Sequence, residues 1–151
     1  MTVRVQAEPF DLAAEVAALK GARTDIGAIV TFTGAVRDAA GGKRLIAMTL
    51  EHFPGMTEAE LFRVEREANA RWPLQGSTII HRYGRLTPGE DIVLVVTASA
   101  HRAAAFAAAD FLMDYLKTSA PFWKKEEFSD GSVTWVDAKA ADEAARERWG
   151  S

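Results

Sequence analysis

The chain has 151 residues, no cysteine and a formal net charge of −3, with 48% hydrophobic and 26% charged residues. A chain of this length buries about two-thirds of the surface its unfolded form exposes, so residues 1–151 are predicted to form one domain. The missing cysteine excludes disulfides, thiolate metal sites and a thiol nucleophile, and the mild acidity argues against nucleic acid or an anionic membrane as partner.

The first third of the chain predicts two strands and a helix before a glycine turn. Residues 2–7 alternate weakly, as in a short strand, and Asp11 can cap a helix that ends near Gly21. The β-branched run 26–36 predicts a well-buried strand. After the Gly41-Gly42 turn, residues 45–53 are expected to pair with that strand in antiparallel fashion.

The middle of the chain predicts a helix followed by a hairpin. Thr57 and Glu60 match a capping box, which places a helix at about 58–72. Residues 77–86 and 91–100 are rich in β-formers and flank a Pro88-Gly89 turn, so they are expected to pair.

The last third predicts a long apolar helix at about 101–118 and a second hairpin. FWKKEEF and SVTWVD flank the turn Ser129-Asp130-Gly131, and a short charged helix closes the chain. Strands and helices alternate with mostly antiparallel hairpins, which indicates the α+β class. No glycine-rich phosphate loop occurs, and no apolar run is long enough to span a membrane, so the cytoplasm is the expected location.

The predicted helix 101–118 places a lysine at its C-terminal end. Helical spacing puts Lys117 on one face with Phe106, Asp110 and Met113. Position alone favours a lysine that complements the negative end of the helix dipole, which is worth less than about 1 kcal/mol. The next segment favours a reactive site, because strand alternation places Lys124 beside Phe122, and a lysine on an apolar face can act as nucleophile or proton donor.

The other end of this helix offers a second cationic site. His101 and Arg102 lie where free backbone N–H groups and the helix dipole favour an anion, although His101 could equally be a structural residue. Arg102 and Lys117 are 15 residues apart, about 22 Å along a straight helix, so one small ligand cannot touch both. We therefore predict a homodimer in which His101 and Arg102 of one copy complete the Lys117 site of the other.

Three other residues are of types that bind ligands. Arg37 follows an apolar strand and could clamp a phosphate or simply pair with Asp38. His52 and His81 have no partner at metal-ligand spacing, so a metal site is not expected.

Several long segments resemble one protein family. TFTGAVRD, LEHFPGMTE, RWPL, IIHRYGRLTPGE, SAHRAAAF and MDYLKTSAPFWKKE, in this order and spacing, resemble the large, catalytic subunit of molybdopterin synthase, the MoaE family. The resemblance covers about residues 26–139. It implies an α/β-hammerhead-type fold and a homodimer within a heterotetramer, each protomer binding a small ubiquitin-like sulfur-carrier subunit.

The resemblance also implies a reaction. The family converts cyclic pyranopterin monophosphate (precursor Z) into the molybdopterin dithiolene for molybdenum cofactor biosynthesis. Sulfur arrives as a thiocarboxylate on the carrier's C-terminal Gly-Gly tail, which enters a pocket of the large subunit, and no cofactor of the large subunit's own is expected. Two sulfurs are transferred in successive rounds.

By motif, the resemblance implies the site residues. Lys117 and Lys124 match the family's two key lysines, and they are expected both to carry the chemistry and to contact substrate. The remaining substrate-binding positions it implies are Arg37, His101, Arg102, Lys125, Glu126 and Lys139, the last reaching the pocket from the second protomer.

Composition and spacing alone leave a second class open. A dimeric binding module could use the same cations to hold a phosphorylated metabolite or an acidic tail without reacting. An inactive homologue is disfavoured because every matched reactive position is filled. Sulfur transfer from the carrier to precursor Z separates an enzyme from a binder.

Overall fold

The computed structural model of the chain describes residues 1–118, 120–136, 144 and 146–150 and contains three named helices and nine strands within them. In chain order the elements are β1 (Thr2–Gln6), α1 (Leu12–Lys20), β2 (Ala28–Ala35), β3 (Ala39–Ala40), β4 (Lys43–His52), α2 (Met56–Arg71), β5 (Leu74–Arg82), β6 (Gly84–Leu86), β7 (Asp91–Ser99), α3 (Arg102–Thr118), β8 (Phe122–Phe128) and β9 (Val133–Val136). This mixture of helices and largely antiparallel strands confirms the predicted α+β class.

The first sheet has the strand order β1-β5-β7-β2 and is covered by helices on both faces. Strands β5 and β7 pair in antiparallel fashion, with Ile79 opposite Val95. Both of these side chains are fully buried in a core shared with Phe111 of α3 and Leu61 of α2. The opposite face packs against α1 in a smaller cluster. The first sheet therefore holds α2 and α3 against one of its faces.

The second sheet has the order β3-β4-β8-β9, and β6 pairs with β4 as well. Strand β4 runs antiparallel to β8, with Leu50 opposite Lys124. Leu50, Leu86 and Phe128 form a separate buried cluster on this sheet. Lys124 is thus carried by a strand whose neighbours are anchored in a hydrophobic core.

The predicted pairing of segment 26–36 with segment 45–53 is wrong. Strand β2 pairs with β7 in the first sheet, whereas β4 pairs with β8 in the second. Strand β2 is an edge strand, and Phe32 is 40% exposed, so the expectation of a well-buried strand is wrong too. A β-branched run reports strand propensity but not which sheet the strand joins.

Of the N-terminal caps predicted for α1 and α2, the first is correct and the second is wrong. Asp11 caps α1 as predicted, because its Oδ1 accepts from the Ala14 N–H at 3.1 Å. The predicted capping box of Thr57 and Glu60 is wrong. Helix α2 is preceded by Gly55, and Glu58 caps this start, because its Oε1 accepts from the Gly55 N–H at 3.2 Å. Thr57 Oγ1 instead donates to the Pro121 carbonyl at 3.1 Å. This bond ties the start of α2 to the segment that enters β8.

The predicted hairpin around residues 129–131 is confirmed, and the one predicted for 77–86 and 91–100 is confirmed only in part. Strands β5 and β7 pair up to His81 and Val93, but residues 84–86, next to the Pro88-Gly89 turn, form β6 and pair with β4 in the second sheet. Strands β8 and β9 pair across residues 129–132. β1 adds a parallel pairing with β5 that the sequence did not predict. Much of the predicted closing helix lies outside the described residues, and within the described part no helix is long and apolar enough to cross a membrane.

A buried carboxyl group lies between α2 and the first sheet. Glu65 is completely buried, and its Oε2 accepts from the Ser77 hydroxyl at 2.9 Å. Its Oε1 has no hydrogen-bond partner among the described residues. Burial raises the pKa of Glu65 to about 7, and the Ser77 hydrogen bond offsets only part of that shift.

We expect Glu65 to make the protein less stable as the pH rises. Because the folded pKa lies above the unfolded value, the unfolded chain ionises first, and stability present below about pH 4.5 is lost as pH rises to about 7. The loss is about 3 kcal/mol. Glu65→Gln should remove it, so urea unfolding between pH 5 and pH 8 should show a smaller decline for the variant. Equal declines for both proteins would contradict the assignment to Glu65.

Candidate functional site

Lys117 lies in the last turn of α3 and is exposed. The buried side of this helix is formed by residues such as Phe111 and Leu112. Phe106, which is 60% exposed, and Asp110 lie with Lys117 on the solvent side, as the helical spacing predicted, whereas Met113 is partly buried and packs against the core. The lysine amine is therefore available to a ligand at the C-terminal end of the helix.

Lys124 is half-buried on β8, six residues after Thr118. Its cross-strand partner is Leu50, and that of Phe122 is His52. Because side chains alternate along a strand, Lys124 and Phe122 lie on one face, as predicted. The short connection from α3 to β8 brings Lys117 and Lys124 to the same end of the molecule.

The two residues after Lys124 lie on different faces of β8. Glu126 shares the face of Lys124, opposite Met48. Lys125 lies on the other face with Trp123, and its partner on β9 is Trp135. Lys124 and Glu126 thus lie on one face of the second sheet, and Lys125 lies on the other.

His101 and Arg102 line a cleft of about 590 Å³ at the start of α3, together with Gly27, Ala28, Ala100, Ala103 and Phe106. Both residues are exposed. The wall of the cleft needs a glycine, because a Cβ on Gly27 would overlap the Ala100 carbonyl oxygen. The Gly27 N–H donates to the Ser99 carbonyl at 3.0 Å, which closes this wall.

The helix keeps the two cationic ends apart. α3 runs unbroken from Arg102 to Thr118, so Arg102 and Lys117 are separated by about 22 Å along its axis. A single protomer therefore does not bring His101 and Arg102 to the lysines. The cleft at the helix start and the lysine pair at its end are separate places within one chain.

Arg37 follows a buried anchor. Val36 is 3% exposed, its N–H donates to the Glu90 carbonyl at 2.9 Å, and its carbonyl accepts from the Gly89 N–H at 2.8 Å. Val36 packs in the same cluster as Leu50, the residue opposite Lys124. Arg37 is exposed on the second-sheet side of the molecule. The predicted site residue Lys139 lies outside the described residues.

The candidate cations share an electrostatic feature. In the part of the chain that the structure describes, no carboxylate lies within ion-pair distance of Arg37, Arg102 or Lys117. Arg82 and Arg148, by contrast, are engaged in ion pairs. Cations without a protein counter-ion favour the binding of an anionic ligand. The described residues contain no His/Cys/Asp/Glu group able to hold a metal ion.

Two histidines that sequence spacing set aside lie close to the Lys124 face. The His81 ring stacks on Phe122 with centroids 3.8 Å apart, and the His52 ring lies 4.4 Å from that of Tyr83. Burial lowers the pKa of His81 to about 4, and the charges of Lys124 and His52 contribute. No local pattern could reveal this cluster, because it forms only when the end of β5 meets the start of β8.

Comparison with known proteins gives consistent matches. Residues 5–119 match the family model "MoaE protein". The molybdopterin synthase catalytic subunit of Rhizobium meliloti (strain 1021) is 63% identical over 150 residues, which are 99% of this chain and 96% of that protein. The solved molybdopterin biosynthesis MoaE protein from Burkholderia ambifaria MC40-6 is 52% identical, with a TM-score of 0.84 and coverage of 99% and 98% of the two chains.

A distant structure shares the fold. It is a protein–protein complex of subunits 1 and 2 of the molybdopterin-converting factor from Helicobacter pylori 26695. The TM-score is 0.72 at 16% identity, with 91% of this chain and 90% of that chain covered. The fold is thus shared by two chains whose sequences are largely different.

Proposed function

We propose that this chain, which belongs to the MoaE family of molybdopterin synthase catalytic subunits, transfers sulfur from a thiocarboxylated carrier to precursor Z. The product is the molybdopterin dithiolene, formed in two rounds. Residues 1–151 act as one domain, in the cytoplasm.

The grouping of Lys117 and Lys124 at one end of α3 carries this proposal. The substrate phosphate and the carrier's thiocarboxylate are both anions, so the pocket has to accept two negative groups. Lys117 is exposed and has no counter-ion among the described residues, while Lys124 is half-buried between a strand core and an aromatic ring. Such a pair suits both anion binding and proton transfer.

The lysines take different roles. Lys117 is the main reactive group, either as proton donor and acceptor during thiocarboxylate attack or by transiently accepting the carrier's acyl group. Lys124 orients the substrate and stabilises developing negative charge. Arg37 and Arg102 suit phosphate oxygens, which a guanidinium can contact with two parallel hydrogen bonds.

The remaining predicted residues complete the pocket around the lysines. Glu126 lies on the Lys124 face of β8. Lys125 lies on the opposite face of β8, so its proposed contact with substrate comes from outside the Lys124 face. The proposed contact of Lys139 comes from the second protomer. His101 accompanies Arg102.

The partners follow from the same chemistry. The chain contains no cysteine, so the transferred sulfur comes from a partner: a small ubiquitin-like carrier with a C-terminal Gly-Gly thiocarboxylate. Two copies of the chain and two carriers make a heterotetramer. The distant Helicobacter pylori structure is itself a complex of two subunits. In the dimer, His101 and Arg102 of one protomer complete the lysine site of the other.

Incubation with thiocarboxylated carrier and precursor Z tests the function. We expect mass spectrometry to show the dithiolene product and a carrier that has lost its sulfur. A carrier that ends in a carboxylate serves as control and should yield no product. Unchanged precursor Z that stays bound would show a binding module instead.

A further inference from the structure

The proposed function assigns no role to His81. It is the next-to-last residue of β5 and is 7% exposed. Its side chain lies on the face of the first sheet that packs on α2 and α3, because it alternates with Ile80 and is in phase with Ile79. Its ring stacks on Phe122 with an interplanar angle of 20°. The ring is thus held against the first residue of the strand that carries Lys124.

The hydrogen bond of His81 defines its tautomer. Nδ1 lies 2.9 Å from the Arg82 carbonyl oxygen, which can only accept, so Nδ1 carries the proton. In the neutral ring, Nε2 is then an acceptor.

Lys124 lies on β8 near Phe122, the residue on which the His81 ring stacks. It lies two residues beyond Phe122 on the same face of β8, about 7 Å along the strand. Among the residues that the structure describes, the charged groups that face His81 from neighbouring elements are Lys124 on β8 and His52 on β4, and both lower the pKa of His81. At neutral pH the ring is therefore an uncharged acceptor beside an ammonium group.

We propose that His81 is a positioning residue for Lys124: its ring, fixed by Phe122 and the Arg82 carbonyl, offers Nε2 to the Lys124 ammonium when the pocket is loaded. This inference rests on the proposed function, in which Lys124 orients the substrate. A hydrogen bond to the ammonium holds the amine in place and favours its charged form.

His81→Phe tests this role, because phenylalanine keeps the stack on Phe122 but removes both ring nitrogens. We expect kcat to fall about tenfold with KM little changed, since the lysine is misplaced rather than lost. The alkaline limb of the rate profile should move about 1 pH unit lower, because the ammonium loses an acceptor. His81→Gln, whose amide oxygen can reach the Nε2 position, should recover much of both.

A lysine titration separates this inference from the proposed function. In protein with ¹³C-labelled lysine side chains, NMR should show the Lys124 titration midpoint moving lower in His81→Phe and returning in His81→Gln. The exposed Lys20 serves as internal control and should not move. This measurement needs no turnover, so it stays decisive if no dithiolene forms. An unchanged Lys124 midpoint would overturn the role of His81.

The reciprocal variant covers the case in which His81→Phe fails to fold. Lys124→Met removes the charge that faces the ring, so the pKa of His81, read from its own imidazole signals, should rise from about 4. The ring should retain its proton on Nδ1 in both proteins. A His81 pKa that does not change, or a proton found on Nε2, would refute the proposed contact.

Discussion

The Lys117→Ala variant is expected to lose about 10³-fold in dithiolene formation while it keeps its fold and its dimer. Lys117 is exposed at the end of α3, and the core side of that helix is formed by other residues, so alanine removes the amine without opening a cavity. A proton-transfer group of this kind contributes about 10² to 10⁴ in rate. Single-turnover assays with thiocarboxylated carrier and precursor Z measure the loss.

Lys20→Ala is the matched control for this variant. Lys20 is also an exposed lysine in the last turn of a helix, so its replacement removes the same charge from an equivalent position on α1. We expect it to react at the wild-type rate. Near-normal turnover of Lys117→Ala, or an equal loss in Lys20→Ala, would contradict the assignment of Lys117 as the reactive group.

A mixture of two inactive variants is expected to regain activity if the site is shared between protomers. Lys117→Ala damages the lysine half of the site and Arg102→Ala damages the half at the start of α3. The two residues lie about 22 Å apart along one helix. In a mixed dimer, one site receives both substitutions and the other receives none. Subunit exchange at random makes about half of the dimers mixed, so activity should reach about a quarter of wild type.

The lysine pair supplies the control for this experiment. Lys117 and Lys124 are joined by six residues and belong to the same half-site, so a mixture of Lys117→Ala with Lys124→Ala should stay inactive. Native mass spectrometry confirms that subunits have exchanged in both mixtures. If exchange occurs and the Lys117→Ala and Arg102→Ala mixture gains nothing, the site is contained within one chain.

The features that the sequence predicted correctly are those encoded over a few residues. Asp11 caps α1 because a carboxylate three residues before a free N–H suffices, and the turn at 129–131 specifies its hairpin through local backbone preference. Helical spacing was enough to place Lys117 on the exposed face of α3. The length of that helix was enough to separate it from Arg102.

The wrong predictions involve a choice between distant strand partners, or a helix cap that lies two residues earlier than predicted, at Gly55 instead of Thr57. Strand β2 could pair with β4 or β7 by its composition, and the central position of β7, buried on both faces, selected β7. Thr57 looked like a cap until the chain entering β8 supplied the Pro121 carbonyl as its partner. Local propensity is the same in either arrangement, so only packing decides.

The sequence by itself determined the family and the α+β class, and it supplied the lysines as candidates and the prediction of a second copy of the chain. These follow from motifs in register and from the fixed rise of a helix. The tertiary structure decided which face each residue occupies: it placed Lys124 and Lys125 on opposite sides of β8 and brought His81 onto Phe122. The physical reason is that contacts between β5 and β8 join residues about 40 positions apart, and no local pattern encodes them.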